Sequence, residues 1–181
     1  MLKWLVRRRI AAFERDYHYD SSYANDILDV STRALFVFNR IVPMARYRRD
    51  VPLDAWFAAK IATTLSEDCG PCTQLAVTMA ERQGVNAELL YAIVNRDTRA
   101  MNRDAALGFR FAQATLAHSP SADEYREAIK RRWGPHALVS LALAIASSRV
   151  FPTVKYALGH GQTCQRVTVG GTVTPVQRQA A

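Results

Sequence analysis

Glycine and proline are scarce until the last dozen or so residues of this 181-residue chain, which holds eight and seven of them in all. Loop-rich β folds need turn-forming residues at short intervals. The scarcity therefore favours long regular elements, and apolar residues recur along the chain with the three-to-four-residue spacing of helices. We predict an all-α fold in a protein that has the length of one domain.

Cysteine is also scarce, with three residues, of which Cys69 and Cys72 form a Cys-x-x-Cys motif. Small secreted proteins are held by many disulfides, and the N-terminus lacks the pattern of a signal peptide. We therefore expect a cytoplasmic protein in which this cysteine pair is functional. Long apolar runs are missing as well: residues 137–146 are too few to span a membrane. No membrane partner is expected.

The formal net charge of +8 is concentrated at the two ends of the chain, whereas residues 51–125, which contain the cysteine pair, are net acidic. Basic charge alone is compatible with a nucleic-acid partner. The sequence has no recognition helix, no zinc-finger spacing and no alternation of basic and aromatic residues of the kind that single-strand binders use. We expect solvated basic faces and no nucleic acid.

The apolar spacing and the capping residues predict a series of helices. They cover residues 2–15, 20–40, 53–66, 69–84, a short segment after Asn86, 103–117, 121–132 and 136–158. Pro43 is expected to end the second, and Pro152 to kink the last, which is apolar on nearly every side and is predicted to be central. We divide the chain into N-terminal helices (1–50) packing on the core or a neighbouring subunit, a helical domain (51–160) and a C-terminal tail (161–181).

A Cys-x-x-Cys motif is either half of a zinc site or a redox dithiol. Zinc requires two further ligands at suitable spacing, and Cys164 forms no second compact pair with the four histidines, His18, His118, His136 and His160. No metal and no cofactor are expected. Two cysteines three residues apart at the start of a helix can reach each other, and the free helix amides there stabilise a thiolate.

The residues around the pair qualify the redox interpretation. Pro71 fits the first helical turn, and Cys-Gly-Pro-Cys is the string of thioredoxins, but a thioredoxin places it after a β-strand, which is missing here. Glu67 and Asp68 disfavour a thiolate at Cys69, since like charges repel. Glu67 is as consistent with a proton relay as with a helix cap, whereas Asp68 is expected to be a solvated cap.

Two parts of the sequence carry a family resemblance: the segment Ser66–Leu75 with Met79–Val85, and the final helix from Leu138 to Gly159. Over roughly residues 50–160 the chain resembles the carboxymuconolactone decarboxylase/alkyl hydroperoxidase D family. The resemblance implies an alkyl hydroperoxidase D-like helical bundle that assembles as a trimer or hexamer. The decarboxylase branch lacks the cysteine pair and fits less well.

In the redox branch, the resemblance implies that Cys72 attacks a peroxide, that Cys69 closes a disulfide with it, and that a dithiol partner reduces the bond. The family's histidine and glutamate of the proton relay correspond to Ala76 and Phe57, so both are missing. Substitutes for the relay are Glu67, or His136 and His160 through space.

Three functions remain open. The first is a thiol-dependent oxidoreductase that reduces a peroxide or a disulfide, with Cys72, Cys69 and Glu67 as the candidate catalytic residues. The second is a non-enzymatic helical oligomer with a redox-sensing cysteine pair, and the third is a decarboxylase-like lyase in which the cysteines are incidental. Thr73 and Gln74 are candidates for hydrogen bonds to a substrate, and Cys164 is either a third redox thiol or idle.

Overall fold

The computed structural model describes residues 2–163 and 166–176, and these are mostly helical. The helices are α1 (Leu2–Tyr17), α2 (Ser22–Val30), α3 (Thr32–Asn39), α4 (Ile41–Arg46), α5 (Leu53–Ser66), α6 (Gly70–Arg82), α7 (Ala87–Val94), α8 (Arg103–Leu116), α9 (Ser121–Trp133) and α10 (Pro135–Ala157). Two short strands follow, β1 (Arg166–Val169) and β2 (Thr172–Pro175). The predicted all-α class is confirmed.

Helix α5 forms the centre of the main hydrophobic core, with α6, α7, α8 and α10 around it. Its alanines, Ala55, Ala58, Ala59 and Ala62, are completely buried. Small side chains let neighbouring helices approach closely. On α8 the closest approach occurs at Gly108, where any Cβ would overlap the carbonyl oxygen of Ala55. Packing of α8 on α5 therefore depends on a residue without a side chain.

Helix α10 is less buried than its composition predicts. It packs on α4, α5 and α9, but Val139 on its outer face is 49% exposed. Among the described residues it is the one helix whose length and apolar composition would suffice to cross a membrane, with 44% of its most apolar window buried in the fold. The core helix of a soluble protein meets the same criterion, and the structure is consistent with a soluble protein.

The predicted helix over residues 20–40 is wrong, because the chain forms two helices there. Ser31 interrupts it in an extended conformation (φ −159°, ψ 114°), and its side chain accepts a hydrogen bond from the amide of Ala34 to cap α3. Serine competes with the helix in this way because its hydroxyl binds nearby backbone. Pro43 does not end a helix either. It lies in the first turn of α4, where no amide donor is lost.

Helix α1 lies where the sequence predicts a helix, and one of its faces packs on the other N-terminal helices. Ile10 and Phe13 pack on a second hydrophobic cluster, which is built from Tyr19 before α2 and from Tyr23 and other residues of α2 and α3. Trp4 and Leu5, nearer the beginning of α1, are exposed. The N-terminal helices thus have a small core of their own, which also includes Leu75 and Val154 from the main helical domain.

The segment predicted as a C-terminal tail contains an antiparallel hairpin in which Val167 pairs with Thr174. Gln74 on α6 fixes β1, because its side chain accepts from the amide of Thr168 (2.7 Å) and donates to the carbonyl of Thr168 (3.0 Å). The helix-surface residue Gln74 is therefore occupied by the hairpin. The turn uses Gly170 and Gly171, both with positive φ.

Candidate functional site

The cysteine pair lies at the beginning of α6. Cys69 is the N-cap in an extended conformation, and Cys72 lies in the first turn, so the two Cα atoms are 5.3 Å apart. The two sulfur atoms lie at disulfide-bonding distance. This is the arrangement that the spacing predicts, because an N-cap residue and the residue three positions later face each other across the first turn.

Hydrogen bonds fix the backbone of this turn on both sides. Asp68 has a positive φ of 48°, which reverses the chain between α5 and α6. The amide of Cys69 then donates to the carbonyl of Thr64 (3.3 Å). The carbonyl of Cys69 accepts from both the amide and the hydroxyl of Thr73, each at 2.9 Å. Thr73 is completely buried and therefore holds the turn rather than facing a substrate.

A segment that follows α10 covers the pair. The amide of Gly70 donates to the carbonyl of Gln162 (3.0 Å), and the hydroxyl of Tyr156 donates to the carbonyl of Asp68 (3.0 Å). Gly161 lies directly against the Tyr156 ring, where a Cβ would overlap it. We call residues 158–163 the cover segment. With the cover segment in place, Cys69 is fully buried and Cys72 is 5% exposed.

Glu67 is the third predicted catalytic residue, and it lies at the end of α5, two residues before Cys69. Its carboxylate accepts from the Nε of Arg149 on α10 at 2.6 Å, and its side chain is 20% exposed. The guanidinium offsets the negative charge that the sequence places beside the cysteines. Glu67 therefore serves as a link between α5 and α10 in this structure.

The positions of the missing relay are apolar. Ala76 and Phe57 are both buried in the main core. His136 does not replace them: it lies in the first turn of α10 and bonds Asp50 (3.0 Å). Arg149 binds Glu67 next to the cysteine pair, and it lies thirteen residues after His136 on α10. His136 is therefore about 20 Å away along the helix axis.

His160 lies in the cover segment, but its ring faces α2. Its Nδ1 is 3.0 Å from the hydroxyl of Ser22, and its Nε2 is 2.6 Å from a carboxylate oxygen of Asp26. Ser22 and Asp26 are one turn apart on α2 and hold the imidazole between them. We call these three residues the His160 clamp. It fixes the cover segment to the N-terminal helices and leaves neither ring nitrogen directed at the cysteines.

A buried lysine lies near the clamp, and its burial was not predicted from the sequence. Lys155 is 1% exposed, with its Nζ 4.6 Å from the centroid of the Tyr19 ring and 5.3 Å from that of Tyr23. Burial lowers the pKa of Lys155, while the nearby Asp20 acts in the opposite direction. Burial also raises the pKa of Tyr19 and of Tyr23. No pattern around Lys155 in the sequence marks it as different from a solvated lysine.

No metal centre is formed by the residues at 2–163 and 166–176, since no three His, Cys, Asp or Glu side chains there are grouped to hold an ion. Cys164 lies outside the described residues. The site thus consists of a covered cysteine pair, the Glu67–Arg149 ion pair and the His160 clamp.

Comparison of the chain with protein-family models, with curated proteins and with solved structures finds no match. The family resemblance of residues 50–160 therefore remains a prediction from the sequence.

Proposed function

We propose that the chain is a thiol-dependent oxidoreductase that cycles between a dithiol and a disulfide at Cys69 and Cys72. The observation that carries the proposal is the position of the two sulfur atoms, which lie at bonding distance in the first turn of a helix. A helix N-terminus favours the thiolate on which such chemistry depends. The resemblance to the alkyl hydroperoxidase D-like family supports the same chemistry in a cytoplasmic protein.

The proposed reaction consumes two electrons from a dithiol. The Cys72 thiolate attacks the terminal oxygen of a hydroperoxide, the O–O bond breaks, and the leaving alkoxide takes up a proton to become the alcohol. The Cys69 thiol then attacks the resulting sulfenic acid, so that a disulfide forms and water leaves. A dithiol partner reduces the disulfide by two exchange steps. A disulfide substrate would enter at the same thiolate without the peroxide step.

Glu67 is the group that the proposal offers in place of the missing relay. It is two residues from Cys69, and its carboxylate can accept a proton once it leaves Arg149. The Cys72 sulfur is nearly inaccessible while the cover segment is closed. Turnover therefore requires the cover segment to move, and we expect slow catalysis compared with an enzyme that has an open site and a dedicated base.

The test is to measure consumption of hydrogen peroxide and of cumene hydroperoxide with dithiothreitol as reductant. Native protein is compared with the Cys69→Ser and Cys72→Ser variants, and Cys164→Ser serves as the matched control. We expect turnover to disappear in Cys72→Ser and to persist in Cys164→Ser. In Cys69→Ser, dimedone should label a sulfenic acid at Cys72. Equal turnover in all four proteins would disprove the proposal.

The burial of the pair favours a second candidate, a redox-sensing protein without turnover. In that case the disulfide forms and is reduced, but no peroxide is consumed above the rate of the reductant alone.

The resemblance to the family also suggests a homo-oligomer, a trimer or hexamer, which light scattering would measure. A decarboxylase-like lyase would retain its activity when both cysteines are replaced by serine.

A further inference from the structure

A second concave surface lies between α8 and α9, and no residue of the cysteine site contributes to it. It encloses a volume of about 690 Å³. One wall is a face of α8, the other is a face of α9, and Thr98 and Met101, which precede α8, also line it. We call this surface the arginine groove.

Helical periodicity explains how the arginines come together. On α8, Arg103, Leu107 and Arg110 are spaced by four and three residues and so share one face. On α9, Tyr125 and Arg132 are two turns apart and share the facing side, with Arg131 beside them. Apolar side chains thus form the floor, whereas the guanidinium groups stand at the edges, where they are exposed.

Among the described residues, two of the four arginines have hydrogen-bond partners, and the other two form no ion pair. Arg132 binds Asp104 through Nη2 (2.5 Å) and Nε (2.9 Å), and Nη2 of Arg110 donates to the hydroxyl of Thr98 (3.1 Å). Arg103 and Arg131 form no ion pair with any residue in the described part of the chain. The groove therefore carries excess positive charge with available hydrogen-bond donors.

A ligand of the groove must also cover an apolar floor, besides matching the positive charge. Met101 is 7% exposed, and Leu107 and Tyr125 are partly buried beside it. A simple inorganic anion would leave this apolar surface in water, whereas a neutral apolar molecule would leave the two guanidinium groups without an acceptor. Arginine binds carboxylate and phosphate groups with two parallel hydrogen bonds. A ligand that has both an acidic group and an apolar body would bind the guanidinium groups and cover the apolar floor.

We propose that the arginine groove binds a small amphiphilic organic anion, with its acidic group between Arg103 and Arg131 and its apolar body on Met101, Leu107 and Tyr125. The ligand's acidic group is a carboxylate or a phosphate, which share the same recognition by guanidinium. The proposal is independent of the redox function, because the groove and the cysteine pair share no residue.

The experiment uses the full chain and the fluorescent anion 8-anilinonaphthalene-1-sulfonate, with the neutral N-phenyl-1-naphthylamine as its uncharged counterpart. We expect the anion to bind one per chain and the neutral probe to bind at least about ten-fold more weakly, given the strength of charge-assisted hydrogen bonds. Octanoate and octyl phosphate then compete with the bound probe. Whichever displaces it at the lower concentration identifies the preferred acidic group.

Arg103→Gln and Arg131→Gln should each weaken binding of the anionic probe by about ten-fold. The matched control is Arg99→Gln, which removes the same charge from an exposed residue nearby that does not line the groove. Circular dichroism confirms that each variant is folded. Equal binding of the two probes, an equal effect of Arg99→Gln, or failure of both octyl compounds to compete would overturn the proposal.

Discussion

The cysteine site and the arginine groove differ in how completely their polar groups are satisfied. Around the cysteine pair, the amide and carbonyl of Cys69 and the amide of Gly70 are hydrogen-bonded, and the two cysteines are buried beneath the cover segment. In the groove, Arg103 and Arg131 face solvent without ion pairs in the described part of the chain. The contrast teaches that the first site needs motion before it can react, whereas the second is open to a ligand as it stands.

Gly108→Val should have the largest effect, because it disturbs the packing of α8, which forms one wall of the groove, on α5, which leads into the cysteine pair. Its side chain would overlap the Ala55 carbonyl oxygen and force α8 away from α5. We expect a loss of about 3 kcal/mol in the free energy of unfolding, measured with urea. The matched control is Ala142→Val on the exposed side of α10, which should change stability by less than about 0.5 kcal/mol. Equal effects would show that the close crossing is unimportant.

Lys60 on α5 is a half-buried counterpart of the exposed groove arginines. Its Nζ donates to the carbonyl of Ala45 (2.9 Å), and burial, with a smaller contribution from Arg46, lowers its pKa to about 8. In the unfolded chain the lysine stays protonated up to about pH 10. Between these values the unfolded state binds more protons, so the free energy of unfolding rises with pH, by about 2 kcal/mol.

Urea unfolding at a series of pH values from 7 to 10 measures this effect. Lys60→Met should flatten the rise between pH 8 and 10, because the titrating group is removed. Arg103→Gln should leave the rise unchanged, since this substitution on α8 leaves Lys60 in place. The same slope in Lys60→Met and native protein would contradict the assignment.

Gly161→Ala should open the cysteine site. The added methyl group would overlap the Tyr156 ring and weaken the packing of the cover segment, so dithiothreitol should reduce the disulfide about ten-fold faster, which corresponds to about 1.4 kcal/mol of local opening. Gln162→Ala is the matched control, because only the main-chain carbonyl of Gln162 binds Gly70. A reduction rate that is unchanged in Gly161→Ala would show that the cover does not limit access.

The smallest effect is expected from the His160 clamp. Ser22→Ala removes one partner of the imidazole, Asp26→Ala removes the other, and each should lower the local stability of the cover segment by about 1 kcal/mol. Hydrogen exchange of the Gly70 amide, which is bonded to Gln162, should become several-fold faster in both variants. Ser31→Ala, which affects only the cap of α3, should leave that exchange unchanged.

Local signals were sufficient for much of the fold. Asn86 was predicted to begin α7, and its side chain accepts hydrogen bonds from the amides of Glu88 and Leu89. The bounds of α5 follow from the regular spacing of its apolar residues and from the polar residues after Leu65. Such features depend on residues within one or two turns, so they can be read without knowledge of the rest of the chain.

The sequence-based prediction missed the C-terminal hairpin and the break at Ser31, for different reasons. The hairpin could have been predicted, because alternating valines and threonines flank Gly170 and Gly171, and two glycines between alternating residues indicate a hairpin turn. The break at Ser31 depended on a balance between local hydrogen bonds that the apolar spacing does not show. Neither error affects the placement of the cysteine pair.

The candidate site was predictable only in its covalent part. The spacing of Cys69 and Cys72 was sufficient to predict that their sulfurs meet. The cover segment, the Glu67–Arg149 pair and the His160 clamp join residues more than eighty positions apart. No local pattern encodes such contacts, since they arise from the path of α10 past the beginning of α6.

The hydrogen bond from Gly70 to Gln162 has a consequence for how the redox state of the pair affects the cover segment. One amide cannot serve two acceptors at full strength, so a thiolate at the beginning of α6 would compete with the Gln162 carbonyl for this donor. Formation of the anion and release of the cover segment would then favour each other, as linked equilibria must. Reduction of the buried cysteine pair to the thiolate state would therefore make the cover segment more mobile, and oxidation to the disulfide would make it less mobile.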